Sequence, residues 1–244
     1  MKIVFAGPSL PDAADHAAIA QVRGPAALGD VAKAVLEGAT VIGIVDGYFE
    51  NIASVWHKEI LYALSQGVTV MGGASMGALR AAECAPYGMV GVGAVFRAYA
   101  SGALIDDDAV GQVHGPEELG YIALTEPLVN IAATLAGLRD RALISGAEHD
   151  ALLVTATGAF FKQRTWPKIV AATAIDSPRR GEIARLVNEN RRDLKREDAI
   201  AVVAAVEAAP DARIGPPAAW KFTETQMWTR LLDGWRRDMA AAAA

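Results

Sequence analysis

Apolar and polar positions follow two rhythms along this chain of 244 residues. In the first third, short β-branched runs alternate with amphipathic stretches of helical spacing. Lys2 to Ala6 reads as a buried strand stopped by Gly7-Pro8. Ile19 to Val22 reads as a short second strand, broken by Arg23-Gly24-Pro25. Leu28 to Glu37 carries its apolar residues at helical intervals and ends at Gly38. Thr40 to Val45 is apolar almost throughout, which suits a strand covered on both faces in a parallel sheet. Ser54 to Leu64 predicts a helix with Ser54 as its N-cap, ended by Gln66-Gly67. Val68 to Gly73 predicts the next strand, and Met76 to Glu83, rich in Ala, Leu and Arg, a helix. This alternation predicts a parallel sheet with right-handed crossovers.

From Met89 the rhythm changes. Gly88, Gly91, Gly93 and Gly102 predict a loop-rich stretch, with Val95 to Ala100 helical. Thr125 to Leu138 predicts an apolar helix that tolerates Pro127 in its first turn. Beyond Asp140 the pattern is helical throughout, near Gly146 to Phe161, Trp166 to Ala174, Arg179 to Arg191 and Arg196 to Ala208. Trp220 to Arg237 follows, with Trp228 and Trp235 a heptad apart on one face, as core or interface residues. The expected fold is α/β: a parallel sheet with flanking helices and a strand–turn–helix around Ser75, followed by an all-α C-terminal region. The expected division is an α/β core over 1–140 and a helical region over 141–244.

Hydrophobic residues make up 52% and charged residues 21%, enough to fill the core of one large α/β domain with a helical extension. The net charge of −5 argues against nonspecific binding of nucleic acid. The single cysteine, Cys84, excludes an internal disulfide framework and fits a reduced, cytoplasmic setting. The apolar run at the start is too short for a signal peptide, and no stretch is long and apolar enough to span a membrane.

The chemistry concentrates at Gly73-Ala74-Ser75-Met76-Gly77, which fits G-x-S-x-G between a strand and a helix. Gly73 and Gly77 allow the sharp turn. The turn would place the Ser75 hydroxyl at its apex. It would also aim the first helical N–H groups, those of Met76 and Gly77, at an anion or a developing oxyanion. The plainer reading is that Ser75 caps the helix. In parallel sheets ligands sit beyond the carboxyl ends of the strands. That edge collects Ser9 in the first loop, Asp46, the first turn of the His57 helix, and Ser75.

Two histidines compete as the base for Ser75. His57, as third residue of its helix, would lie near that edge with Asp46 to orient it. His114 lies in a loop, and Ser75, Asp106 or Asp107, His114 follow the chain order of α/β-hydrolases. The strand–helix geometry favours His57 and keeps His114 as the rival. Glu59 is two residues from His57 and points to another helix face. Asp106-Asp107-Asp108 reads as a solvated helix start before it reads as a cation site. His16, His57, His114 and His149 lack ligand spacing, so neither a metal nor a cofactor is expected. Arg179, Arg180, Arg185, Arg191, Arg192, Lys195 and Arg196 form a basic stretch, a solvated helix face or a docking surface for an acidic partner. Cys84 is a weaker candidate as a persulfide carrier than as a buried structural thiol.

Ile44-Val45-Asp46-Gly47-Tyr48-Phe49-Glu50, Ser54-Val55-Trp56-His57-Lys58-Glu59-Ile60 and Ala74-Ser75-Met76-Gly77-Ala78-Leu79-Arg80-Ala81-Ala82-Glu83 resemble the TfuA-like family. So do Tyr87-Gly88-Met89, Gly91-Val92-Gly93, the pair Asp106-Asp107, His114 and Val129-Asn130-Ile131. The resemblance covers roughly residues 1–140 and adds Arg80 and Glu83 to the site candidates. TfuA-like proteins accompany YcaO enzymes, which activate a backbone amide with ATP and replace its oxygen by sulfur. The resemblance implies a role in thioamide installation, with a YcaO enzyme as partner and the precursor peptide as a further one. A sulfur-carrier protein ending in a thiocarboxylate would be the sulfur source. Attack by Ser75 on its carbonyl would expel sulfide. The competing expectation is a noncatalytic adaptor that stimulates the YcaO enzyme. A stand-alone serine hydrolase of small esters is a third.

Overall fold

The computed structural model describes residues 1–50, 52–215 and 219–242. By contacts the chain forms two compact units, one of Met1–Ala103 with Asp198–Ala244 and one of Leu104–Glu197.

Among the described residues the first unit holds five strands: β1 (Lys2–Phe5), β2 (Gln21–Arg23), β3 (Val41–Ile44), β4 (Thr69–Gly73) and β5 (Val90–Val92). Between them run α1 (Ala13–His16), α2 (Asp30–Leu36), α3 (His57–Ser65) and α4 (Met76–Cys84), and α5 (Gly93–Ala100) follows β5. The strands pair in parallel in the order β2-β1-β3-β4-β5, as expected of an α/β sheet. The order reverses at β1, so the switch point lies between β1 and β3, where doubly wound sheets take their ligands.

Alternate residues of the central strands explain why both faces are covered. Ile3, Phe5, Ile42 and Ile44 join a cluster with Val31, Val35, Ile60 and Ala63 from α2 and α3. Val4, Val41 and Val45 point the other way and join Ala199, Val202, Val203 and Val206. Those four belong to a helix reached only after the second unit, and their i, i+3, i+4, i+7 spacing makes one apolar stripe.

The second unit contains α6 (Leu128–Asp140), α7 (Gly146–Gly158), α8 (Trp166–Ala172) and α9 (Ser177–Glu189), packed around Ile131, Leu135, Leu152, Trp166 and Ile183. Helix α10 (Leu194–Ala208) carries the chain back, and α11 (Gln226–Ala242) ends the described part. Trp228 and Leu232 of α11 are buried in the α2–α3 cluster, where Trp228 meets Tyr62 at 5.1 Å and Trp235 at 5.8 Å between ring centroids. The compact units are therefore drawn differently from the division at residue 140. The C-terminal helices complete the sheet's own core because their apolar stripes have to be buried against something, and the sheet faces supply it.

Candidate functional site

Ser75 sits where β4 gives way to α4. Its N–H donates to the Gly73 carbonyl at 2.8 Å across Ala74, whose φ of 65° is in the left-handed region. Such a three-residue turn on a non-glycine residue is strained. The apex of the turn is therefore Ala74, one residue earlier than the pattern G-x-S-x-G suggests, and its side chain is buried beside Val45 and Leu10. Ser75 stands at the N-cap position and is 8% exposed, yet its hydroxyl makes no capping bond. Among the described residues the Met76 N–H likewise has no acceptor.

The two flanking glycines have packing roles. The Gly77 N–H donates to the Val45 carbonyl at 3.1 Å, and a Cβ on Gly77 would stand 1.7 Å from the Ile44 carbonyl oxygen. Its N–H is thus engaged and does not join that of Met76 as a free donor. A Cβ on Gly73 would meet the Val92 carbonyl oxygen at 2.5 Å.

Asp46 closes β3 at the switch point and is 2% exposed. Its Oδ2 accepts from the N–H groups of Gly7 and Ser9, both at 2.9 Å, and its Oδ1 accepts from the Ser9 hydroxyl at 2.6 Å. In sheets of this order the N–H groups after the first strand are a common cradle for an anionic ligand. Here a carboxylate of the chain itself fills that cradle. Asp46 thus fastens the first loop instead of orienting an imidazole, and Ser9 is its donor.

His57 opens α3. The N-cap is Trp56 rather than Ser54, whose hydroxyl instead donates to the Tyr48 carbonyl at 2.9 Å. The imidazole Nε2 lies 2.7 Å from Glu83 Oε2, and Arg80 donates to the same oxygen at 2.8 Å and to the Val55 carbonyl at 3.0 Å. Glu83 follows Ser75 by eight residues, about 12 Å of helical rise. The imidazole is accordingly held along the flank of α4 with Glu83 as its carboxylate, and no hydrogen bond joins it to Ser75 among the described residues.

Glu59 is fully buried at the first turn of α3. It accepts from the Trp56 N–H at 3.2 Å and reaches the start of α2 at the Ala32 N–H, 3.3 Å away. Burial pushes its carboxyl up to about 7, opposed by backbone N–H groups of Gly29, Trp56 and Ala32 that favour the charged form. Because the folded-state value lies above the unfolded one, the folded chain holds the extra proton. Stability therefore falls as pH rises from about 4.5 to 7 and is flat beyond, by on the order of 3 kcal/mol. Urea unfolding of the wild type and Glu59→Gln across that range is expected to give a stability difference that shifts steadily in favour of the variant and then levels off. A difference independent of pH would refute the assignment.

Cys84 is 1% exposed, and burial pushes its thiol up to about 11, which keeps it protonated and unreactive.

A family model described as TfuA-like protein matches residues 46–165. Over that span the chain belongs to the TfuA-like family. No curated protein matches the chain. The TfuA-like family works with YcaO enzymes in thioamide-forming systems. The TfuA-like span opens at Asp46 and takes in His57, Glu59, Ser75, Arg80 and Glu83, while Ser9 precedes it.

The same span includes candidates of the second unit. Asp106 precedes a helical turn over Asp107–Ala109, and Asp107 is exposed. Asp108 pairs at 3.1 Å with Arg164, which is 1% exposed. His114 Nδ1 donates to the Gly115 carbonyl at 2.7 Å, which leaves Nε2 as the basic nitrogen, and its ring meets Tyr121 edge-on. Among the described residues no three His, Cys, Asp or Glu side chains are grouped to hold a metal ion. No helix among them is long and apolar enough to cross a membrane.

The basic stretch finds partners at home. Arg179 pairs with Glu148 and Glu182, Arg185 with Glu189, Arg191 with Glu126 and Arg192 with Glu197, all between 2.6 and 2.9 Å. Arg179 holds the Glu148 carboxyl down to about 2. Lys195, 2% exposed, donates to the Val110 carbonyl. Four of the seven charges are thus compensated by carboxylates of the unit, while Arg180 and Lys195 donate to backbone carbonyls, which weakens the stretch as a surface for an acidic partner.

Proposed function

We propose that this chain is the partner of a YcaO enzyme in backbone thioamide installation and that Ser75 releases sulfide from a sulfur-carrier protein ending in a thiocarboxylate. The observation that carries the reading is Ser75, 8% exposed at the carboxyl edge of the sheet, with a hydroxyl free of any capping bond, beside a Met76 N–H that has no acceptor among the described residues. In the first step the Ser75 oxygen bonds to the thioacid carbonyl carbon and the carbon–sulfur bond breaks. The hydroxyl proton leaves with the sulfur as hydrogen sulfide. Water then attacks the ester, Ser75 recovers its proton, and the carrier leaves as its carboxylic acid. Sulfide is a good leaving group, so stabilising the oxyanion matters more than a general acid. The Met76 N–H at the start of α4 supports that role.

The second reading, a noncatalytic adaptor, is favoured by a specific observation. Asp46 is engaged with Gly7 and Ser9 and His57 with Glu83, and among the described residues no side-chain base hydrogen-bonds to Ser75. One experiment separates the two. The protein is incubated with a thiocarboxylated carrier, without the YcaO enzyme, and the carrier is weighed. Conversion of the thiocarboxylate to carboxylate supports hydrolysis. An unchanged carrier, with a YcaO enzyme still stimulated by the chain, means the adaptor.

A further inference from the structure

In the second unit, residues 113–125 form a braced arm rather than a loose loop. The Val113 N–H donates to the Thr125 hydroxyl, Leu124 donates to the Val113 carbonyl and Gly115 to the Ile122 carbonyl, each at 2.8 Å. His114 bridges Ala123 in antiparallel fashion, and Gly120 and Tyr121, with φ of 64° and 53°, turn the tip. On this braced frame Leu119, Ile122 and Leu124 are 60%, 60% and 59% exposed. Glu117 and Glu118 at the tip are exposed and form no ion pair among the described residues. Single exposed apolar residues need no explanation, but three large ones on a short ordered hairpin mark an interaction site.

We propose that this arm docks the chain onto its protein partner, seating Leu119, Ile122 and Leu124 in an apolar groove rimmed by lysine or arginine. The proposal rests on the reading of the chain as the partner of a YcaO enzyme. The charge of the arm selects the occupant. Glu117 and Glu118 repel an anionic lipid surface and call for cations around an apolar centre, a combination that a protein groove offers. The arm also lies within the TfuA-like span, as a trait shared with that family requires, whereas the basic stretch from Arg179 to Arg196 lies outside it and has Arg179, Arg185, Arg191 and Arg192 paired with carboxylates of the same unit.

The test measures association of the full chain with the cognate YcaO enzyme at several salt concentrations. Leu119→Glu with Ile122→Glu is expected to weaken binding by about tenfold or more. Thiocarboxylate hydrolysis without the YcaO enzyme and the melting temperature should both be unchanged, since these side chains are exposed. Glu117→Gln with Glu118→Gln is expected to slow association and flatten its dependence on salt. Wild-type binding by the apolar pair variant overturns the arm while leaving the partner reading intact. A wild-type chain that does not bind the YcaO enzyme at all overturns both. Light scattering that shows the arm holding two copies of this chain together also overturns the proposal.

Discussion

Ser75→Ala is expected to lower sulfide release from a thiocarboxylated carrier by about 10³-fold or more, with no loss of stability. The size of the effect follows from covalent chemistry, because without the hydroxyl no acyl-enzyme can form. The unchanged stability follows from the geometry. The hydroxyl makes no capping bond, and the Ser75 backbone keeps its bonds to Gly73 and Ala78 in the variant. Full activity in Ser75→Ala would remove the nucleophile and leave the adaptor reading in its place.

The imidazoles are tested in the same assay. His57→Ala is expected to cost less than about tenfold, because Glu83 holds the ring on the flank of α4 and sulfide departs without much help. A loss of 10² or more, on the order that a general base supplies, would restore His57 to that role. Glu83→Gln should then match it, since a base and its orienting carboxylate act as a unit.

Most strands and helices up to Cys84 were legible because a strong periodicity runs up to a glycine or proline stop, as in Lys2 to Gly7 or Thr40 to Gly47, whereas the single turn of α1, inside the first loop, carries no such period. Strand β5 was not legible, since Val90-Gly91-Val92 is three residues at a sheet edge with a glycine at its centre and no alternation to read. The cap of α3 stands at Trp56 and not at Ser54, because the helix begins at His57 and the Ser54 hydroxyl is held by the Tyr48 carbonyl before it. Periodicity also told that α10 and α11 each have a buried face but not which surface covers it. That information lies in contacts such as Val206 over Gly43, across more than half the chain.

The site was legible by position and less so by partnership. Ser75, Asp46 and Ser9 all stand at the carboxyl edge as the topology requires. What the chain order concealed is that Asp46 answers the N–H groups of Gly7 and Ser9, and that the carboxylate for His57 comes from the far end of the Ser75 helix. Hydrogen bonds between residues dozens of positions apart leave no mark on local spacing.

Gly77→Ala is expected to destabilise the chain by about 3 kcal/mol or more and to abolish sulfide release together with it. A Cβ at this position would lie 1.7 Å from the Ile44 carbonyl oxygen and 2.5 Å from its carbon, both backbone atoms of a central strand that cannot yield. Helix α4 would have to lift away from β3, breaking the bond from the Gly77 N–H to Val45. The loss would spread, because Gly72 packs against the Gly77 carbonyl so closely that its own Cβ would stand 2.2 Å from that oxygen. The same lift would carry the Met76 N–H and the Ser75 hydroxyl out of register with the sheet edge. Gly137→Ala in α6 is the control, since a Cβ there meets nothing within 4 Å. It should stabilise the chain by roughly 0.5–1 kcal/mol and leave activity alone. Urea midpoints and the carrier assay on all three variants then separate two kinds of failure. Ser75→Ala loses chemistry on an intact frame, whereas Gly77→Ala loses the frame that holds the chemistry. Wild-type stability in Gly77→Ala would show that the first turn of α4 does not depend on this close approach.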